Sequence, residues 1–313
     1  MSYVFRRVGQ AVIVLLAAFT GAFILLQALP GDAIMIKFEN PELGLSADQI
    51  QNIRLSYGID TPLVIQYVHT LAGFITGDFG YSINSGTAVR SLLAEVLPQT
   101  ARLAVLGFLA AALLAVGIAF ASTFSRFGWL RKFLRNLPSL FISVPVFWLG
   151  IMLIQIFSFK LGLIPAVGAG PAQALILPVA TLAVPIAAPL AQVLTRSIDE
   201  INAQPFIAVV QAKGAPPGWI LWRNVAKNAV LPTLTIAGVL FGELIAGAVV
   251  TETVFGRAGI GRLTEQAVAS QDTPVLQAIV ILSASVFVLV NLTVDLLYPL
   301  LDPRLKTKVG AAT

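Results

Sequence analysis

Apolar residues along this chain gather into six long runs separated by more polar stretches, at about residues 8–29, 100–124, 137–159, 174–194, 229–250 and 275–301. Each is about as long as the roughly 20 residues a helix needs to cross about 30 Å of hydrocarbon. Lipid admits only helices and closed barrels, and runs of this length without strict alternation are helical. The pattern predicts an all-α integral membrane protein with six transmembrane helices. The first run follows Arg6-Arg7, as a secretory signal would. Its apolar stretch exceeds a usual signal core and no small-x-small cleavage site precedes a soluble body, so an uncleaved first helix is expected. Pro178, Pro185 and Pro189 fall inside the fourth run. Each removes a backbone hydrogen bond, so that helix should kink or be irregular. Two readings stand level: a bent packing helix, or one that lines a wet pathway.

The longest polar stretch, residues 30–97, is read as a water-facing insertion. Ser46-Ala47-Asp48-Gln49 has capping-box spacing. It predicts a helix over about 47–57 that stops at Gly58. Thr61-Pro62 predicts a second helix over 63–75, with the proline at its first position, and Gly77-Asp78-Phe79-Gly80 a turn.

Charge supplies the orientation, because Lys and Arg collect in cytoplasmic loops. With the N-terminus inside, thirteen of the 20 basic residues fall in inner segments: Arg6, Arg7, Arg126, Arg131, Lys132, Arg135, Arg196, Lys213, Arg223, Lys227, Arg304, Lys306 and Lys308. The stretch 30–97 instead carries seven acids against Lys37, Arg54 and Arg90. Both termini are therefore expected in the cytosol. The layout predicted is a tail and first span at 1–29, an extracytoplasmic segment at 30–97, a five-span core at 98–304 with a cytosolic loop at 198–229, and a cytosolic tail at 305–313.

Composition excludes several classes. Only 11% of residues are charged and mean hydropathy is +0.88, against about 25% charge in soluble domains. The net charge of +5 belongs to membrane-flanking loops, so no nucleic-acid partner is expected. There is no cysteine and His69 is the single histidine, which rules out thiolate and multi-histidine metal sites. No G-x-x-x-x-G-K-[ST] occurs, so the chain has no ATPase site of its own.

The run Asn202-Ala203-Gln204-Pro205-Phe206-Ile207-Ala208-Val209-Val210-Gln211-Ala212-Lys213-Gly214 sits between the fourth and fifth apolar runs, on the side that the charges make cytosolic. Pro205 predicts a helix start that runs through Lys213. Ile207, Val210 and Ala203 share a face at helical spacing, and Gly214 is a left-handed cap. Pro216-Pro217 then re-aims the chain, and Leu231-Pro232 marks re-entry. Further on come Glu252-Thr253-Val254-Phe255-Gly256-Arg257-Ala258-Gly259-Ile260-Gly261-Arg262-Leu263 and Asn291-Leu292 followed by Asp295-Leu296-Leu297-Tyr298-Pro299-Leu300-Leu301-Asp302-Pro303-Arg304. Leu29-Pro30-Gly31-Asp32 and Gly77-Asp78-Phe79-Gly80-Tyr81-Ser82 precede them. Six motifs in this order and spacing, from about Arg7 to Arg304, resemble ABC-importer permeases of the peptide/nickel (OppB/DppB-like) branch.

That resemblance implies a type I importer permease half in a bacterial or archaeal inner membrane. It would pair with a homologous second permease and two P-loop ATPases that bind ATP and Mg, and receive solute from an extracytoplasmic binding protein. The solute class it implies is oligopeptides, dipeptides, glutathione, nickel or a metal chelate. It also makes Pro205, Phe206, Ala208, Val209, Gln211, Ala212, Lys213 and Gly214 the ATPase-coupling loop. The chain departs from the family where Ala208-Val209-Val210-Gln211 replaces Arg-Thr-Ala-Arg and where Pro216-Pro217-Gly218 replaces a charged turn. A plainer account of the same segment is an amphipathic helix on the inner leaflet.

Among polar residues inside the runs, Glu243 lies in mid-span, where an acid costs about 2.5–3.5 kcal/mol on insertion scales. It either bonds a neighbouring helix or meets a cationic solute in the pathway. Asn291 and Asp295 share a helix face; Asn291 is a second pathway candidate, and Asp295 reads as structural. Glu252, near the outer end of its span, is expected at the interface or anchoring a loop, and Gly256, Gly259 and Gly261 in a tight turn after it. A different class, an ion-coupled secondary carrier, suits Glu243, but such carriers show mirrored halves and none appear here. An intramembrane enzyme would need a base near a membrane serine, and His69 lies in the outer stretch.

Overall fold

The computed structural model describes residues 2–27, 46, 48, 61–165, 168 and 170–301. Its long helices are α1 (Ser2–Gln27), α3 (Val89–Phe124), α6 (Gln173–Asn202), α9 (Lys227–Val254) and α11 (Thr273–Leu301), with shorter α2 (Leu63–Thr76), α4 (Gly128–Ile142), α5 (Val146–Leu153), α7 (Pro205–Ala212), α8 (Pro217–Ile220) and α10 (Ile260–Ala269). Among the described residues, five helices are long and apolar enough to cross a membrane, or six if one bent pair counts as a span. The helix predicted at 47–57 lies outside the described residues. The chain forms two compact units. One comprises Met1–Val8, Ala101–Arg257 and Leu289–Thr313, and the other Gly9–Thr100 and Ala258–Val288.

The first unit is organised around α6. Leu182, Ala183, Ile186, Ala187, Leu190 and Ala191 are all buried, in one cluster with Leu103, Ala111 and Ala115 of α3 and Leu240, Leu244 and Ala248 of α9. Glycines bring the neighbours in. A Cβ at Gly107 would lie 3.2 Å from the Leu182 Cβ, one at Gly247 3.2 Å from Leu182 Cδ2, and one at Gly150 3.4 Å from Thr181 Cγ2. Small residues at contacts allow close backbone approach, the usual solution where lipid gives no hydrophobic drive between helices.

The three prolines do not end α6, which runs through Pro178, Pro185 and Pro189. Pro178 has no N–H to donate to the carbonyl of Ala174, four residues back. That carbonyl accepts instead from Arg257 Nη1 at 3.1 Å. The guanidinium reaches it because α9 closes on a left-handed Gly256 (φ +61°), with the Arg257 amide donating to Glu252 O at 2.8 Å and the Gly256 amide to Thr253 O at 3.2 Å. This is a Schellman closure, and a side chain at Gly256 would be strained. The expected glycine turn is therefore shorter than 256–261: Gly259 is extended and caps α10, and Gly261 lies within that helix. Glu252 is buried, 1% exposed, so it is no interfacial carboxylate.

The third apolar run is not one straight helix. α4 ends at Ile142, α5 starts at Val146 and continues in a π-helical turn to Lys160, and the two parts are bent by 107°. Pro145 supplies the break: it lacks a donor and disfavours helical backbone at Val144. α4 carries exposed Trp129, Phe133 and Leu140 alongside Arg131, Lys132 and Arg135, a basic amphipathic pattern. Arg135 Nη2 bonds Asp199 Oδ1 at 2.9 Å near the end of α6. The fifth span also differs, because Pro232 lies inside α9 rather than at its start. α8, a π-helical stretch Leu221–Ala226 and α9 follow without a break, and the wider register precedes the proline. The second span begins at Val89, eleven residues ahead of its predicted start.

In the second unit, Tyr67 of α2 packs edge-on to Phe19 and Phe23 of α1, with ring centroids 5.3 Å apart in both pairs, and its hydroxyl lies 2.8 Å from Thr20 Oγ1. Pro62 caps α2 from outside rather than occupying its first turn. Leu63, Val64, Val68 and Ile75 of α2 are exposed, an apolar surface that a water-facing insertion does not predict. The predicted turn at 77–80 forms, with Asp78 Oδ1 accepting from the Gly80 amide at 3.0 Å. Beyond it, buried Asp272 accepts from the Ser82 hydroxyl and from the amides of Ile83 (3.2 Å) and Asn84 (3.1 Å). The loop before α3 is thereby tied to the corner before α11. That corner holds Gln271 at φ +52°, a non-glycine residue in left-handed backbone.

Candidate functional site

α7 is built as its sequence predicts, one residue shorter. Gln204 is extended, Pro205 takes the first helical position, and Ala212 is the last helical residue before Lys213. Gly214 takes φ +84°, its amide donates to Gln211 O at 2.9 Å and the Ala215 amide to Val210 O at 3.4 Å. Left-handed backbone suits glycine and penalises a β-branched residue. The two faces of α7 differ. Ile207 is 1% exposed and Val210 partly buried, in a cluster with Leu194 and Ile198 of α6, Ala119 of α3, and Ile220, Leu221, Val225 and Ala229 of the helix entering the next span. Fully burying a side chain such as Ile207 is worth about 1.5–3 kcal/mol. Phe206, Ala208, Val209, Gln211, Ala212 and Lys213 face outward, with Phe206 43% and Val209 55% exposed. Ala203 is exposed too, so the predicted buried stripe is Ile207 and Val210 alone.

A second feature lies in the body of the same unit. Glu243 is exposed into a cavity of about 350 Å³ whose other walls include Val146 of α5, Leu182, Pro185 and Ile186 of α6, and Gly247 and Val250 of α9. Glu243 is the charged member of an otherwise apolar lining, and among the described residues no ion pair engages it. One of the three prolines of α6, Pro185, thus lines this cavity. Asn291 is placed elsewhere, half-buried, with its Oδ1 3.5 Å from where a Cβ on Gly238 would lie. The structure does not bring Glu243 and Asn291 into one cavity. Asp295, one turn on, pairs with Arg7 Nη1 at 3.3 Å, which makes it structural. No cluster of three or more metal-ligating side chains occurs among the described residues.

Sequence reasoning missed most walls of the cavity, because Val146, Ile186 and Val250 look like any apolar span residue; only Pro185 belonged to a helix singled out in advance. It also missed Arg257, whose role depends on a carbonyl 83 residues away. A proline with an orphaned carbonyl four residues earlier was the available signal.

A family model described as the binding-protein-dependent transport system inner membrane component matches residues 111–307, and its N-terminal companion matches 1–104. The chain is 33% identical over 312 residues to the "Probable peptide ABC transporter permease protein y4tP" of Sinorhizobium fredii, which covers 97% of this chain and 99% of that one. Over 308 residues it is 33% identical to the glutathione transport system permease protein GsiC of Salmonella typhimurium, covering 98% and 100%. Among solved structures, the MetNI methionine ABC transporter in inward-facing conformation aligns with a TM-score of 0.56 at 18% identity, over 67% of this chain and 96% of that one. An amino acid ABC transporter aligns with a TM-score of 0.51 at 18% identity, over 68% and 94%. At such identity these two structures share a fold with this chain.

Proposed function

Because the chain belongs to the family of inner-membrane components of binding-protein-dependent transport systems, we propose that it forms half of a translocation pathway for peptides or a peptide-like solute such as glutathione, driven by ATPases that dock on α7. The chain is an ABC-importer permease subunit, a multi-pass inner-membrane protein that is not itself an ATPase; ATP is bound by its ATPase partners, and its solute comes from a binding protein. In the finer reading, the assembly holds two ATPases and a second, homologous permease.

The observation that carries the reading is the two-faced α7. Its outward face, Phe206 and Val209 with Lys213 at the end, is free for a partner, while Ile207 is locked among residues of α3, α6 and the α9 entry. When the ATPases close, α7 moves, and with it the ends of α6 and α9, two of the helices that wall the Glu243 cavity. Opening and closing of that cavity is the alternating-access step. Glu243 supplies a fixed negative charge there, which in low dielectric attracts a cationic group such as a peptide ammonium. The relatives transport peptide or glutathione by name, and both solutes carry that group.

The test is uptake of labelled dipeptide, glutathione and nickel by cells lacking the chain and by complemented cells. ATP-dependent uptake of a peptide or glutathione should disappear with the chain and return with it. Unchanged uptake of all three would refute the solute assignment.

A further inference from the structure

Beside α7, the helix that enters the fifth span carries a groove the transport reading leaves unused. It is an open cavity of about 830 Å³ lined by Gly218, Trp219, Trp222, Arg223, Asn224 and Lys227. Two cations and no carboxylate line it, and among the described residues neither cation forms an ion pair. The Arg223 guanidinium sits over the Trp219 ring, 5.7 Å from its centroid. Trp222, 71% exposed, stacks on Phe120 at 5.5 Å, close to the end of α3. Asn224 also lines the groove, and its buried amide nitrogen has no acceptor among the described residues. The backbone here is the π-helical stretch Leu221–Ala226. Such stretches inside α-helices frequently mark functional sites.

We propose that this groove binds the phosphate headgroup of an anionic phospholipid. Three observations select that occupant. The groove sits where two membrane-length helices end, α3 near Phe124 and the span from Pro217. Tryptophans that are half-wet and half-apolar are the side chains that settle at headgroup level. The uncompensated pair Arg223 and Lys227 is complementary to an anion, and basic residues near an anionic membrane surface each strengthen attachment about fivefold. Arg223 and Lys227 supply the phosphate donors, while the indoles cover the glycerol region. The proposal is independent of which solute is carried.

The full-length chain, purified in neutral detergent with the subunits that accompany it, is titrated with dioleoylphosphatidylglycerol, dioleoylphosphatidylcholine and inorganic phosphate, and bound molecules are counted by native mass spectrometry. Wild type should retain phosphatidylglycerol that Arg223→Gln/Lys227→Gln loses, with about a thirtyfold drop in apparent affinity for two charges removed. Phosphatidylcholine retention should not differ between them, which also reports that the variant is folded. Arg223→Lys/Lys227→Arg should behave as wild type. Equal phosphatidylglycerol retention in the Gln variant overturns the proposal. Competition by millimolar inorganic phosphate shows that the site takes a free anion instead of a lipid, which also overturns it. Loss of accompanying subunits with lipid retention unchanged identifies the groove as a protein contact and has the same force.

Discussion

At the scale of single residues, two charged side chains of the first unit are expected to have opposite roles. Arg257 is structural, since its guanidinium occupies the Ala174 carbonyl that Pro178 cannot serve. Arg257→Met keeps the length and removes the donor. Leaving a fully buried polar group unsatisfied costs about 1–3 kcal/mol; this contact is part-buried, so the variant should lose stability toward the lower end of that range, and Arg257→Lys less. Unchanged melting of Arg257→Met in detergent would show that the carbonyl finds another partner. Glu243 should behave the other way. Glu243→Gln keeps shape and hydrogen bonding and removes the charge, so uptake of a cationic solute should fall several-fold with melting unchanged. Glu243→Leu should lower uptake at least as far and hold or raise stability, because it removes an ion from an apolar cavity. Transport by the Gln variant at the wild-type rate would take Glu243 off the pathway.

At the scale of elements, α7 is the part whose geometry was most legible in advance. Pro205 as a starter and Gly214 as a left-handed stop are local backbone constraints, and neither depends on what packs nearby. Gly214→Val places a β-branched side chain at φ +84° with open space around it, so the penalty falls on backbone conformation alone. The variant should keep the fold, retain the permease partner, and lose solute-stimulated ATP hydrolysis by tenfold or more in the purified assembly. Normal coupling there would refute the role of α7 in transmission. The bend between α4 and α5 was hidden because hydropathy is continuous across Ser143–Pro145, and an average over about twenty residues carries no angle. The Asp272 clamp was out of reach for another reason: Ser82 and Asp272 lie 190 residues apart, and nothing local to either announces the other. Glu243 was legible as an anomaly, an acid in mid-span, but its cavity was not, since apolar walls and apolar packing read alike.

At the scale of the whole molecule, the prediction that matters is sidedness. From the distribution of Lys and Arg, residues 30–97 are expected outside and both termini in the cytosol. The chain contains no cysteine, so single cysteines report without background. With an impermeant thiol reagent on intact cells, Asp48→Cys should label and Ser125→Cys should not. The reverse pattern would invert the topology, and with it the assignment of α7 to the ATPase side.

The packing of α6 has a mechanical corollary. Knobs set in holes resist axial displacement because each must climb out before it can reseat. Beside the knobs Leu182, Ile186 and Leu190, α6 buries the ridge Ala183, Ala187 and Ala191, and it is met by Gly107, Gly150 and Gly247, so its relief along that ridge is shallow. A rod with so little relief can glide by a fraction of a turn along its sleeve without resetting rotamers, the small sliding that defines shear motion. Gly247→Ala would add a methyl 3.2 Å from the flexible end of Leu182. It is expected to act as grit in a bearing, slowing turnover in a transport assay by more than its effect on Tm would suggest.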